Sequence, residues 1–211
     1  NEIANIPLLI YHPDHADKGG ERFAALTQTM DLMPTMLDLF GHTPADDVLG
    51  RSILPLVTGD KDSIRDVALY GIFGGAINAT DGRYTYFRYP RNMETKDLYE
   101  YTLMPMHNRS LFEIRELENA MLHRGFDFTK GAPVLQVPAL PDARRSPRQG
   151  GFAQTETVLY DLTSDADQLH PITDQATEDR MVALMISEMQ AHDAPSELFK
   201  RFDLKAPALR R

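Results

Sequence analysis

The stretch that most constrains this chain is Thr29-Met-Asp-Leu-Met-Pro-Thr-Met-Leu-Asp-Leu-Phe-Gly41. Pro34 has no amide hydrogen, so a helix tolerates it in the first turn, which fixes where this helix starts. Asp31 suits the N-cap, where a carboxylate accepts from the free N–H groups of that turn. Met33, Met36, Leu37 and Phe40 recur at helical spacing and make one apolar face. Gly41 can take the left-handed conformation that ends the helix. Upstream, Ile6-Pro-Leu-Leu-Ile10 is an unbroken apolar run. Such a run fits a strand buried on both faces, as in a parallel sheet covered by helices. Strand, loop and capped helix together make half of an α/β unit.

At 211 residues the chain is long enough to bury a substantial core. Its apolar content of 42% and charged content of 25% are those of an ordinary globular protein. A net charge of −9 argues against nucleic acid or an anionic membrane as partner. No apolar run approaches the length of a membrane-spanning helix and no signal peptide is visible, so a soluble protein is expected, with the cytoplasm favoured. With no cysteine, disulfides and thiolate metal sites are excluded.

Beyond Gly41, His42–Asp62 reads as a loop with a Pro- and Leu-rich segment. Val67–Thr80 and Arg83–Tyr89 are β-favouring runs separated by Asp81-Gly82, which predicts a hairpin with a type I′ turn. Gly71, Gly74 and Gly75 in the first run suggest a bulge. Leu98–Met104 fits a strand. A helix is expected from about Ser110, with Leu111, Ile114, Leu117, Met121 and Leu122 on one face. Phe126–Thr129 and Pro133–Val137 read as short extended pieces, and Thr157–Leu162 as a strand. Pro141–Gly151 is a Pro/Gly/Arg loop carrying Arg144, Arg145 and Arg148. The last helix is capped by Asp174 or Thr177 and buries Met181, Leu184, Met185 and Met189. A tail, Ala206–Arg211, follows.

Four segments in order carry a resemblance: Ile6-Pro-Leu-Leu-Ile-Tyr-His-Pro13, Met30-Asp-Leu-Met-Pro-Thr-Met-Leu-Asp-Leu-Phe-Gly41, Gly50-Arg-Ser-Ile-Leu-Pro-Leu-Val-Thr-Gly59 and Leu159-Tyr-Asp-Leu-Thr-Ser-Asp165. They resemble the C-terminal portion of sulfatases of the alkaline phosphatase superfamily, with Ala166 where that family has proline. The resemblance implies an α/β fold: the end of the sandwiched sheet at residues 1–66, then a small antiparallel sheet with a terminal helix at 67–211, with an inserted region at 90–155. It further implies a parent hydrolase of sulfate esters, using a divalent metal (Ca, or Mg/Mn) and a formylglycine or serine nucleophile. The family's nucleophile motif and acidic metal pairs lie before the Ile6–Ile10 strand and are not found in this sequence. Asp14-His15 is not the family's metal-binding pair, because it follows that strand and Ala16 stands where glycine is required. Neither catalytic nor metal-binding residues are therefore expected here. The parent's partner is expected to be a sulfated small molecule or glycan. The phosphate and phosphonate hydrolases of the superfamily and a non-catalytic binding module are the alternatives. The Ile6–Ile10 strand is expected to self-associate or to pair with a missing N-terminal part.

Three residues are candidates for a substrate-binding wall. His12 ends the expected parallel strand, where open α/β sheets place their crevice. His107 and Arg109 lie on the connection after Leu98–Met104, where a guanidinium can bind a tetrahedral oxyanion through paired donors. Asp31 and Asp38 are accounted for by capping and surface rather than by catalysis.

Overall fold

The computed structural model describes residues 4–91, 93, 97–104, 106–107, 109–140 and 155–205. The three-arginine loop and the tail from residue 206 lie outside the described residues. In chain order the elements are α1 (Leu32–Leu39), α2 (Leu54–Thr58), β1 (Ala68–Gly71), β2 (Ile77–Thr80), β3 (Tyr84–Arg88), β4 (Tyr99–Thr102), α3 (Ile114–Leu117), β5 (Met121–His123), β6 (Val134–Pro138), β7 (Val158–Asp161), α4 (Gln175–Ala191) and α5 (Ser196–Arg201). Two antiparallel sheets, ordered β1-β2-β3-β7 and β4-β6-β5, and a long C-terminal helix make this a mixed α/β fold. By contacts the chain forms two compact units, and their boundaries do not coincide with residue 66. The first is Asn1–Tyr70, Ile77–Phe87 and Thr157–Glu188; the second is Gly71–Ala76, Arg88–Glu156 and Met189–Arg211.

In the first unit, α1 starts as Pro34 requires and ends at Gly41, where φ is +71°. The His42 N–H donates to Leu37 O at 2.8 Å and the Gly41 N–H to Asp38 O at 3.0 Å, the paired bonds of a Schellman cap. The expected apolar face is not the inward one. Met33, Met36 and Phe40 are exposed, and Pro34 is the buried residue of the helix. The inward face runs through Asp31, Pro34 and Thr35, and Asp31 and Thr35 act through polar bonds, as does the exposed Asp38.

The expected strand at Ile6–Ile10 forms no ladder among the described residues, and Leu9 is 93% exposed. A strand needs a partner edge, and neither sheet supplies one. Pro13–Lys18 forms 3₁₀ turns, and α2 lies within the expected loop at His42–Asp62. Lys18 Nζ donates to Thr58 O at 2.7 Å and to Val57 O at 3.3 Å, closing the C-terminal end of α2.

The run Val67–Thr80 is two strands rather than one with a bulge. A turn closed by the Gly75 N–H on Ile72 O (2.8 Å) separates β1 from β2. The β2–β3 hairpin forms at Asp81-Gly82, but positive φ occurs at Gly82 and not at Asp81, so the turn is not type I′. Asp81 Oδ1 instead accepts the N–H groups of Arg83 (2.9 Å) and Tyr84 (2.6 Å). Arg180 of α4 donates to Asp81 Oδ2 at 2.7 Å and lies over the Tyr84 ring. That places α4 on the sheet face carrying Tyr84 and the fully buried Tyr86, and Met181 and Met185 are fully buried as expected. Asp174 caps α4 through the Thr177 N–H. On the opposite face Phe87 meets Tyr70 and Tyr160 edge-on.

In the second unit, β4 and β6 form where extended segments are expected, whereas the helix from Ser110 is cut to the single turn of α3. Met121–His123 pairs with Val134–Gln136 as an edge strand. A short isolated helix is marginal, and a ladder partner overrides its apolar spacing. Phe126–Thr129 is a 3₁₀ turn rather than extended, and α5 follows α4, so the methionine-bearing helix is not the last. The guanidinium of Arg88 donates to Phe202 O and Asp203 O at the C-terminal end of α5.

Two outcomes follow from the first sheet. Gly82→Val puts a β-branched residue at φ +92° and costs on the order of 1–3 kcal/mol, read as a lowered thermal midpoint. Burial pushes the Tyr70 phenol from 10.0 up to about 12, against the opposing effect of the Thr85 hydroxyl. The folded chain thus keeps a proton that the unfolded chain releases. This contribution is complete below pH 10.0 and is lost as pH rises toward about 12. Chemical denaturation across that range shows the alkaline loss of stability, and Tyr70→Phe reduces it.

Candidate functional site

Two of the four segments that carry the sequence resemblance, Met30–Gly41 and Gly50–Gly59, bond to each other. Asp31, completely buried, accepts the Gln28 N–H on Oδ2 (2.7 Å) and the Arg51 N–H on Oδ1 (2.8 Å). The same Oδ1 pairs with the buried guanidinium of Arg65, whose Nη1 donates to Gln28 Oε1 at 2.5 Å. Asp31 makes no side-chain bond to the first turn of α1, so its expected role as a cap is replaced by that of a buried counter-ion. Thr35 Oγ1 donates to Asp31 O (2.6 Å) and accepts the Ile53 N–H (2.9 Å), and Ser52 Oγ donates to Asp38 Oδ2 (2.6 Å). Gly50 lies so close that an added Cβ would stand 2.1 Å from Met30 O. Near the C-terminus, Asp161 Oδ2 pairs with Arg83 at 3.0 Å, and its Oδ1 takes the Thr163 N–H at 3.0 Å. The backbone N–H groups of His170 and Leu169 hold the Asp165 carboxyl below the usual range. These are scaffold bonds. Both oxygens of Asp31 are engaged within this cluster.

Of the three candidate substrate residues, His12 belongs to the first unit. Its Nδ1 accepts the Asp14 N–H at 3.2 Å, a local cap of the following turn. His107 and Arg109 belong to the second unit. His107 Nε2 lies 2.8 Å from Glu116 Oε1, its Nδ1 lies 3.3 Å from Glu100 Oε2, and its ring meets Phe112 edge-on. Burial pushes the Glu116 carboxyl up, but the Glu113 N–H and His107 outweigh it and hold the group below the usual range. Arg109 is exposed.

The second unit also contains a half-open cleft of about 670 Å³, lined in part by His123, Phe126, Asp193 and Glu197. Tyr101 donates to Glu197 and accepts from Gln136 Nε2 at 2.8 Å. Burial first, and then the Glu197 carboxylate, push the Tyr101 phenol up. The Gly125 N–H donates to His123 Nδ1 at 3.2 Å, and Asp193 Oδ2 accepts the Asp127 N–H at 2.8 Å. Sequence reading misses this cleft because its walls come from segments far apart in the chain with no motif in either. Among the described residues, no group of three or more His, Asp or Glu side chains is placed to hold a metal ion.

Arg65→Met leaves Asp31 buried without its counter-ion and lowers unfolding free energy by about 3–5 kcal/mol. Adding Asp31→Asn recovers part of the loss, because the two residues act as one pair. Denaturant unfolding of the single and double variants reads both effects.

The profile of the family described as N-sulphoglucosamine sulphohydrolase, C-terminal, matches residues 1–124. No curated protein matches the chain. A solved structure from Bacteroides thetaiotaomicron, described in connection with the metabolism of multiple glycosaminoglycans and labelled 6S-sulf, is similar over 76% of this chain, with 11% identity and a TM-score of 0.40. The similar region spans 24% of that protein's chain. With more than half of its length matched by the family, this chain belongs to the N-sulphoglucosamine sulphohydrolase C-terminal family.

Proposed function

We propose that this chain is the C-terminal portion of a sulfatase-type hydrolase of sulfate esters, in which it supplies scaffold and one wall of the substrate crevice. The observation that supports the reading is the bonding of Met30–Gly41 to Gly50–Gly59 around Asp31, beside the match of residues 1–124 to the family. In this reading the nucleophile and the divalent metal (Ca, or Mg/Mn) are held by residues outside this chain, and no catalytic step runs through a metal held here. Arg109 and His107, both in the second unit, are the residues proposed for that wall. A sulfated small molecule or glycan is the substrate. The family's name makes N-sulfated glucosamine the first compound to try, beside O-sulfate and phosphate monoesters. The exposed apolar surface at Ile6–Tyr11, Met33, Met36 and Phe40 supports cover by further polypeptide, by self-association or by pairing with an N-terminal part of the parent. The same surface favours the second reading, a non-catalytic assembly module.

The test is turnover. The 211-residue chain releases no sulfate or phosphate from these compounds with Ca²⁺, Mg²⁺ or Mn²⁺ added, whereas a longer protein that includes it does. Metal-dependent turnover by the chain alone contradicts the reading, and an inactive longer protein favours the module. In the active longer protein, Arg109→Ala weakens use of the anionic substrate by about 1.5–3 kcal/mol in kcat/KM while leaving the thermal midpoint unchanged.

A further inference from the structure

We propose that the cleft beside Glu197 is a subsite for an uncharged, hydroxyl-bearing sugar ring. Its volume of about 670 Å³ is that of a small-molecule site and ample for a single ring, and all of its lining comes from the second unit. Asp127, Asp193 and Glu197 stand there against one cation, Arg124. The potential inside is therefore negative, and a sulfated or phosphorylated group is repelled. Naming the ligand as a sugar rests on the glycan substrate proposed above, whereas the shape, charge and bonding groups of the cleft do not.

Two of the lining carboxylates are held in place by bonds within the unit. Glu197 accepts the Tyr101 hydroxyl on Oε1, and Tyr101 is fixed in turn by Gln136 Nε2 at 2.8 Å. Asp193 accepts the Asp127 N–H on Oδ2 at 2.8 Å, and its own N–H closes on Gln190 O at 3.1 Å where α4 ends. Each keeps one oxygen, Glu197 Oε2 and Asp193 Oδ1, that is unspent among the described residues. Such an oxygen accepts an O–H in a charge-assisted bond. His123 supplies the complement. Its Nδ1 accepts the Gly125 N–H at 3.2 Å, so the neutral ring carries its proton on Nε2 and can donate to a sugar oxygen. His123 and Phe126 belong to a cluster of rings with Tyr101 and Phe128, neighbouring centroids lying 5.1–5.3 Å apart. That cluster gives the cleft an apolar wall. A purely apolar ligand leaves the unspent oxygens desolvated and unmet. A ring with hydroxyls on its rim and C–H groups on its faces satisfies both kinds of surface.

The subsite is tested by binding to the 211-residue chain, without turnover. Backbone amide chemical shifts are followed while methyl glucoside, the ammonium form of glucosamine and glucosamine N-sulfate are titrated in turn. Methyl glucoside is expected to shift the amides of Gly125, Phe126, Asp127 and Gly131 saturably, with a Kd on the order of 1 mM. The N-sulfate is expected to bind about tenfold more weakly. Glu197→Gln keeps an acceptor for Tyr101 but puts an amide donor in place of the unspent oxygen, and Asp193→Asn does the same beside the Asp127 N–H. Each weakens methyl glucoside binding by about tenfold and narrows the gap to the N-sulfate, with an amide spectrum as dispersed as that of the wild-type chain. No response of these amides to methyl glucoside at about 50 mM, or an N-sulfate that binds as tightly, overturns the subsite. A response to glucosamine alone overturns it in favour of a cation site. Unchanged affinity for methyl glucoside in both variants overturns the part given to the carboxylates. These results stand apart from whether a longer protein hydrolyses sulfate esters, so the subsite can fail while that reading holds, and the reverse.

Discussion

The fold of the first unit depends on one buried charge. Asp31 has no contact with water, and burying a carboxylate is expensive unless its charge and lone pairs are fully met. Here they are met from three separate places in the sequence: the Gln28 N–H, the Arg51 N–H and the Arg65 guanidinium. Satisfying Asp31 therefore draws the segment 50–53 and the approach to β1 onto the start of α1. Thr35 and Ser52 add bonds in the same register, and Gly50 allows the backbones to touch. Gln28, also bonded to Leu69 O at 2.9 Å, ties the cluster to the first strand of the sheet.

This accounts for the spacing of the family's segments without a catalytic role for them. An aspartate before a Pro-Thr helix and a glycine-led Arg-Ser-Ile segment are two halves of one joint. The joint sets where α1 and α2 meet, and both carboxylate oxygens of Asp31 and the Thr35 hydroxyl are spent within it. In the proposed reading the chemistry lies with residues outside this chain, while the second unit holds His107, the exposed Arg109 and the cleft beside Glu197.

The sequence made some of this legible and hid the rest for physical reasons. Local signals held where the answer is local: Pro34 and Gly41 bracket α1, Asp174 caps α4, and Asp81-Gly82 turns the hairpin. Apolar periodicity misled wherever the neighbour was polar or distant. Met33, Met36 and Phe40 have the spacing of a buried face, but α1 is held through Asp31, Thr35 and Asp38. Leu111 to Leu122 has the spacing of a helix, but β6 offers Met121–His123 a ladder. Ile6–Ile10 has the composition of a buried strand and finds no sheet edge among the described residues. Of the candidate site residues, His12 accepts the Asp14 N–H of its own following turn, a local bond. His107 was visible as a residue but not as a ring between Glu100 and Glu116, which only the fold brings together.

The central claim, that the family's segments serve the scaffold and not the chemistry, is tested most directly by kcat in a longer, active protein carrying Thr35→Val. This change removes the hydroxyl joining Asp31 O to the Ile53 N–H and preserves shape. The account predicts a thermal midpoint lowered by several degrees, as expected for a loss of about 1–3 kcal/mol. It also predicts an unchanged kcat well below that midpoint. A kcat that falls while the midpoint stays in place would contradict it.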